Sequence, residues 1–217
     1  MQTKYAFFDL DGTIINSAQG ILNSLNYATK KMNLPSFTMD DTWKFIGPPL
    51  LDVFSKHRGL NLQKATEAVA CYREYYSRKG MLECNVYDGV RELLEELKRI
   101  GIVCVLATCK PHIFANQILA HHQLDAYFAF VSGPELNGTR NTKSEVIAYA
   151  IESLHISDRD SIIMIGDRAD DVLGANACGI DCIGVLWGFG SEEELTNAGA
   201  CAICQQPKDV LSHIKNQ

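Results

Sequence analysis

Five short, continuously apolar runs, separated by helix-like stretches, constrain this chain more than any other feature. The runs are Lys4 to Phe8, Gly101 to Ala107, Ala129 to Ser132, Ser161 to Ile165 and Asp181 to Leu186. They do not alternate apolar with polar residues, so they suit strands covered on both faces. Between them, Val90 to Ile100 sets Val90, Leu93, Leu94 and Leu97 at helical spacing; Ile113 to His121, Lys143 to Leu154 and Val172 to Cys178 read the same way. Strands that alternate with helices call for crossover connections and a mainly parallel sheet. The expected fold class is α/β with a Rossmann-like three-layer core. Near the end, Ser191-Glu-Glu-Glu194 has a capping-box pattern, and a last helix is expected from Asp209 to Lys215.

One interval breaks the rhythm. Residues 16–82 contain no convincing strand and several helical patterns instead. Ala18 to Met32 places Ile21, Leu22, Leu25 and Ala28 on one face. Thr38 to Ile46, Leu50 to Lys56 and Leu62 to Tyr76 follow, with Pro49 suited to a first helical turn. The expected organisation is an α/β core made of residues 1–15 and 83–217, with an all-helical domain, 16–82, inserted into it.

Composition narrows the function classes. With 217 residues, 47% of them hydrophobic, the chain can bury one sizeable core, or a core plus a small second domain. A formal net charge of −6 argues against a partner such as a nucleic acid polymer or an anionic membrane surface. The first apolar stretch stops at Asp9, too short for a secretory signal, and no run approaches the roughly 18–20 apolar residues that span a bilayer. Eight cysteines without such a signal read as reduced thiols, so a cytoplasmic protein is expected. Cys201-Ala-Ile-Cys204 has redox-like spacing, but no strand-to-helix entry precedes it and no second pair completes a zinc site.

The chemistry gathers just past the first run. Phe7-Phe8-Asp9-Leu10-Asp11-Gly12-Thr13 sets two carboxylates where a buried strand gives way to a loop, and Gly12 lets the chain turn there. One carboxylate can attack phosphorus, and a second can give a proton to the leaving oxygen and later take one from water. The alternative, Asp-Gly as a plain turn former, accounts for two residues and not for the string. The string resembles the DxDGT signature of the haloacid-dehalogenase-like phosphatases. Asp11 sets the chain apart from the dehalogenases, which lack this second acid, and from the cation-pumping relatives, which carry threonine there.

The resemblance extends through three further motifs in the family's order. Thr108, after the run ending at Ala107, resembles the second motif, whose hydroxyl binds a phosphoryl oxygen; the competing reading is a helix N-cap. Lys143, at a helix start, resembles the third, which neutralises the nucleophile and the transferring group; Lys110 is the competing lysine and could meet the substrate's anionic end. Gly166-Asp167-Arg168-Ala169-Asp170-Asp171 resembles the fourth, GDxxxD. The resemblance implies Mg²⁺ held by Asp9, Asp167 and the backbone carbonyl of Asp11, with Asp171 in the ligand shell. Asp170 is read as a solvated acid, and Arg168 stands where relatives carry serine or threonine.

The inserted domain matches the position of the family's small helical cap, which can close over a site. Gly47 and Pro48 in the segment Ile46 to Leu50 resemble the cap loop of the phosphoglycolate-phosphatase-like branch, and Lys44 and Arg58 are candidate contacts to an anionic substrate. Trp187 in Leu186-Trp-Gly-Phe-Gly190 is read as a packed loop anchor or as a stacking surface for a base. The expected activity is Mg²⁺-dependent hydrolysis of a small phosphorylated metabolite through an aspartyl phosphate at Asp9. Phosphoglycolate comes first as substrate and a nucleoside 5′-monophosphate second. A phosphosugar mutase and a non-catalytic metabolite-binding protein follow. A monomer or homodimer is expected.

Overall fold

The computed structural model of the chain describes residues 2–43, 45–46 and 49–214. The expectations placed on Lys44, Gly47 and Pro48 fall outside those residues, as does the end of the last expected helix at Lys215. The chain divides into two compact units, Met1–Asn16 with Val86–Gln217, and Ser17–Asn85.

The first unit opens with β1 (Tyr5–Phe8) and the two-residue β2 (Ile15–Asn16). The second unit carries α1 (Ala18–Lys31), α2 (Met39–Trp43), α3 (Leu50–Arg58) and α4 (Leu62–Tyr76). Within it α1 packs on α4, and the Tyr27 hydroxyl and Lys31 ammonium reach Glu74 at 2.8 and 2.6 Å. The Phe37 ring meets those of Phe45 and Phe54 edge-on. The short α2 is capped by Thr38, whose hydroxyl accepts from the Asp41 N–H at 3.2 Å.

After β3 (Asn85–Val86), which pairs with β2 in a separate two-stranded sheet, the first unit resumes. It runs α5 (Val90–Arg99), β4 (Val103–Ala107), α6 (His112–His121), β5 (Phe128–Ser132), α7 (Lys143–Ser153) and β6 (Ile162–Gly166). It ends with α8 (Ala169–Ala177), β7 (Asp181–Val185), α9 (Glu192–Ala198), β8 (Ala202–Cys204) and α10 (Val210–His213). The six-stranded sheet has the order β5-β4-β1-β6-β7-β8, with every pair parallel.

The apolar runs are explained by burial on both faces. Phe7, Val105, Met164 and Cys182 cluster with Ile147 and Ile151 of α7, Val172 of α8 and Leu195 of α9. Their neighbours in the chain, Phe8, Leu106, Ile165 and Ile183, point the other way and are buried too.

Two local readings change. Cys201 to Cys204, read as a short apolar run with no strand-to-helix entry before it, contains the edge strand β8, which pairs Ala202 with Ile183. Three residues are too few to show a period. Cys201, just before the strand, is exposed, and Cys204, at its end, is buried. The Ser191 capping box forms only by half. Ser191 Oγ accepts from the Glu194 N–H at 3.1 Å, but the Glu194 carboxylate turns to Arg168 and the Ala169 N–H, both at 2.8 Å.

The strand order locates the ligand crevice. From β1 the chain moves outward through β4 and β5; from β6 it moves the opposite way through β7 and β8. The reversal falls between neighbours β1 and β6, and open α/β sheets bind ligands at the carboxyl ends of strands at such a point.

Candidate active site

Three strand ends deliver the central residues. Phe8 pairs with both Leu106 and Ile165, so β1, β4 and β6 end nearly level. Asp9 follows β1, Thr108 follows β4 and Asp167 follows β6. The ladder continues one residue past two of the strands: the Asp9 N–H donates to Ile165 O and the Thr108 N–H to Ser132 O, both at 3.0 Å. The backbone behind both side chains is therefore fixed. Gly12 turns the following loop at φ +89°, a value that glycine adopts without steric cost.

Lys143 enters from the side. Thr142 caps α7 through a reciprocal box with Glu145, which leaves Lys143 as the first helical residue. Its stem runs against Gly174 of α8, where a Cβ would lie 2.6 Å from Lys143 Cγ. Its buried ammonium lies 2.7 Å from Asp9 Oδ1, 2.7 Å from Asp171 Oδ1 and 3.1 Å from the Ala107 carbonyl. Burial opposes this charge, but the Asp171 and Asp9 carboxylates outweigh it and hold the lysine pKa well above its ordinary value.

Asp171 is held by Lys143 on one oxygen and by the Arg168 N–H, at 3.0 Å, on the other. Its side chain lies over Gly166, where a Cβ would collide with it. Burial pushes its pKa up to about 6, with Asp9 adding to the rise and Lys143 opposing it. Asp167 is fully buried, and burial together with the Asp171 and Asp9 charges raises its pKa well above the carboxylate range. It accepts from the Thr13 hydroxyl at 3.1 Å and from the Phe189 N–H at 2.8 Å.

One oxygen from each of Asp9, Asp167 and Asp171 falls in a cluster whose atoms all lie within 4.8 Å of one another. These are hard donors, and of the three buried carboxylates Lys143 pairs with Asp9 and Asp171. Such an excess of buried negative charge is costly unless a cation enters, so the donor set fits a divalent metal.

The remaining expected residues of the first unit fall around this cluster. Asp11 pairs with Lys110 at 2.6 Å, so that lysine is engaged with a carboxylate within the site. Thr108 is buried and its hydroxyl accepts from the Lys110 N–H at 3.2 Å; the cap of α6 is Pro111, which disposes of the N-cap reading. Arg168 turns to Glu194, and Asp170 is exposed. In the second unit, the Arg58 guanidinium donates to Ser36 O at 3.2 Å and lies 3.7 Å over the Phe37 ring.

Several participants escaped the sequence reading. Tyr87 is half-buried, and its hydroxyl pKa is raised by burial and by the charges of Asp167 and Asp11. Gly174, Gly188 and Gly190 provide the space that Lys143, Asp167 and the loops require. A lone glycine or tyrosine carries no signal of this kind until its neighbours in space are known.

A parallel α/β sheet with a buried acid cluster and the ammonium of Lys143 at its switch point is the place where such folds bind ligands. The family description "Haloacid dehalogenase-like hydrolase" matches residues 6–185, and the chain belongs to that family. It is similar to a 5′-nucleotidase of Pseudomonas aeruginosa, 42% identical over 188 residues that cover 87% of this chain and 85% of the relative. It is also similar to a phosphoglycolate phosphatase of Colwellia psychrerythraea, 26% identical over 91% of each chain. A crystal structure of a predicted phosphatase from Clostridium acetobutylicum superposes with a TM-score of 0.91, at 43% identity over 99% of each chain. The protein is a phosphatase of this family.

Proposed function

We propose that the protein hydrolyses a small phosphomonoester with Mg²⁺, through a phosphorylated Asp9. The observation that carries this reading is the pairing of Asp9 with the buried Lys143 at 2.7 Å, beside Asp167 and Asp171 at the switch point. Asp9 attacks phosphorus in line. Lys143 offsets the charge of the nucleophile and of the incoming phosphoryl oxygens, and the Thr108 hydroxyl donates to one of those oxygens. Asp11 protonates the leaving oxygen and then takes a proton from the water that hydrolyses the phospho-aspartate. Lys110 orients Asp11 for both tasks. Asp9, Asp167 and the Asp11 carbonyl would hold the metal, with Asp171 shaping its surroundings; when bound, Mg²⁺ supplies charge stabilisation for the transferring phosphoryl group.

Two substrates have support. The 42% identical relative named a 5′-nucleotidase favours a nucleoside 5′-monophosphate. Phosphoglycolate, expected first from the sequence, has the support of a relative at 26%. The test is phosphate release from a panel of 5′-nucleotides, phosphoglycolate, hexose phosphates and pyrophosphate, with Mg²⁺ or EDTA, beside Asp9→Asn. Mg²⁺-dependent release that the substitution abolishes is expected, fastest with a 5′-nucleotide. Release undiminished in Asp9→Asn would rule out the covalent route.

A further inference from the structure

Asp167 is gripped from two directions that are far apart in sequence. The Thr13 hydroxyl donates to Oδ1 at 3.1 Å, and the Phe189 N–H donates to Oδ2 at 2.8 Å. The two grips are joined, because the Trp187 indole Nε1–H donates to the Thr13 carbonyl at 2.9 Å. The segment 187–190 thus spans from the loop that follows Asp9 to the carboxylate that follows β6. Its glycines are required by the closeness of that span. A Cβ on Gly188 would run into the Gly12 carbonyl and the Asp167 side chain, and one on Gly190 into the Asp167 carbonyl. On the other side, a Cβ on Gly12 would strike the Asp167 carboxylate. Gly12 and Gly188, from two loops, therefore leave room for one side chain, Gly190 leaves room for its backbone carbonyl, and two donors set the side chain's rotation.

We propose that Thr13 and the loop Trp187–Gly190 act together as a positioning device for Asp167, setting the affinity of the site for a divalent cation. The inference rests on the reading of Asp167 as a metal ligand. The physical reason is preorganisation. A buried carboxylate with both oxygens tethered offers its free lone pairs in one direction and loses little freedom when a cation arrives. Outer partners of this kind typically change metal affinity by about 10- to 100-fold. Trp187 serves this device through its N–H to Thr13, not as a surface for a substrate base.

The experiment is calorimetric titration of the metal-free protein with MgCl₂ and with MnCl₂, repeated for Thr13→Val, Thr13→Ser, Trp187→Phe and Asp167→Asn. Circular dichroism and thermal unfolding of each variant establish that it is folded. Thr13→Val keeps the shape and removes the donor, so its dissociation constant is expected to rise about tenfold or more. Thr13→Ser restores the hydroxyl and should return close to the parent value, which a purely structural role for Thr13 would not produce. Trp187→Phe is expected to weaken binding in the same direction. In Trp43→Phe protein, Trp187 is the remaining tryptophan of the two, and its fluorescence is expected to shift saturably with Mg²⁺.

The failures separate cleanly. If Asp167→Asn binds Mg²⁺ as the parent does, the ligand reading itself falls. If Asp167→Asn loses binding while folded Thr13→Val retains parent affinity, the positioning proposal alone is overturned. Should Thr13→Val not fold, parent affinity in Trp187→Phe together with a Trp187 signal indifferent to Mg²⁺ overturns it equally.

Discussion

Three of the buried charged side chains at the centre of this site rest on glycines. Lys143 passes Gly174, Asp171 lies over Gly166, and Asp167 lies between Gly12 and Gly188. The reason is steric: a charged side chain must reach past packed backbone to its partners, and a methyl group in that path displaces it. Gly174→Ala is the sharpest test, because the new Cβ would sit 2.6 Å from Lys143 Cγ, while the ammonium stands to lose its 2.7 Å contacts to Asp9 and Asp171. A misplacement of about 1 Å in a catalytic constellation can cost around 10²-fold in rate. A fall of that order in phosphate release is expected, with the circular dichroism of the parent. Parent turnover in Gly174→Ala would mean that α8 yields or that Lys143 is not needed where it stands.

At the scale of elements, the site depends on how α8 begins. Its first turn carries Asp171, whose carboxylate accepts from the Arg168 N–H. Glu194 of α9 accepts from the Ala169 N–H and from Arg168 Nε, both at 2.8 Å, and so fixes the same turn from outside. Partial burial alone would raise the Glu194 pKa, but the Ala169 N–H and the Arg168 guanidinium outweigh it and hold the pKa below its ordinary value. A carboxylate depressed in the folded state stabilises the fold above its unfolded pKa of about 4.3, and that contribution is lost as pH falls through the lower folded value. Glu194→Gln is expected to cost about 1–2 kcal/mol near neutral pH, with the difference from the parent narrowing below about pH 4. Urea unfolding at several pH values measures this; a difference that does not change with pH would assign the cost to packing.

The whole molecule carries an unbalanced charge cluster that a cation would relieve. Burial raises the pKa of both Asp167 and Asp171, the latter to about 6. For carboxylates the sign is clear. Between an unfolded pKa of about 3.9 and the higher folded values, the folded chain binds more protons than the unfolded one, so stability falls as pH rises. That contribution is full below about pH 4 and is lost as pH climbs through about 6. Metal-free protein is therefore expected to lose thermal stability as pH rises from about 4 through about 6 from this source, in the units of about 1.4 kcal/mol per pKa unit that linkage sets. Mg²⁺ at about 100 times its dissociation constant should return about 2.7 kcal/mol. Thermal unfolding with EDTA or Mg²⁺ across that range checks both, and a melting temperature indifferent to Mg²⁺ at pH 8 would speak against the metal reading.

The sequence by itself determined the class of fold, because strands buried on both faces must be apolar throughout and such runs are visible without coordinates. It also determined where chemistry could gather, since Asp9, Thr108 and Asp167 each follow the last residue of a strand and the ends of parallel strands lie side by side. A three-residue edge strand such as β8 is too short for a period to show, so Ala202 to Cys204 waited for the sheet. Only the tertiary structure decided which donors hold which carboxylates. Glu194 abandons a local cap for Arg168, Lys110 meets Asp11, and Trp187 ties Thr13 to the loop that grips Asp167. These partners are 26, 99 and 174 residues apart. Side chains choose partners by distance and desolvation in space, and neither quantity is written along a chain.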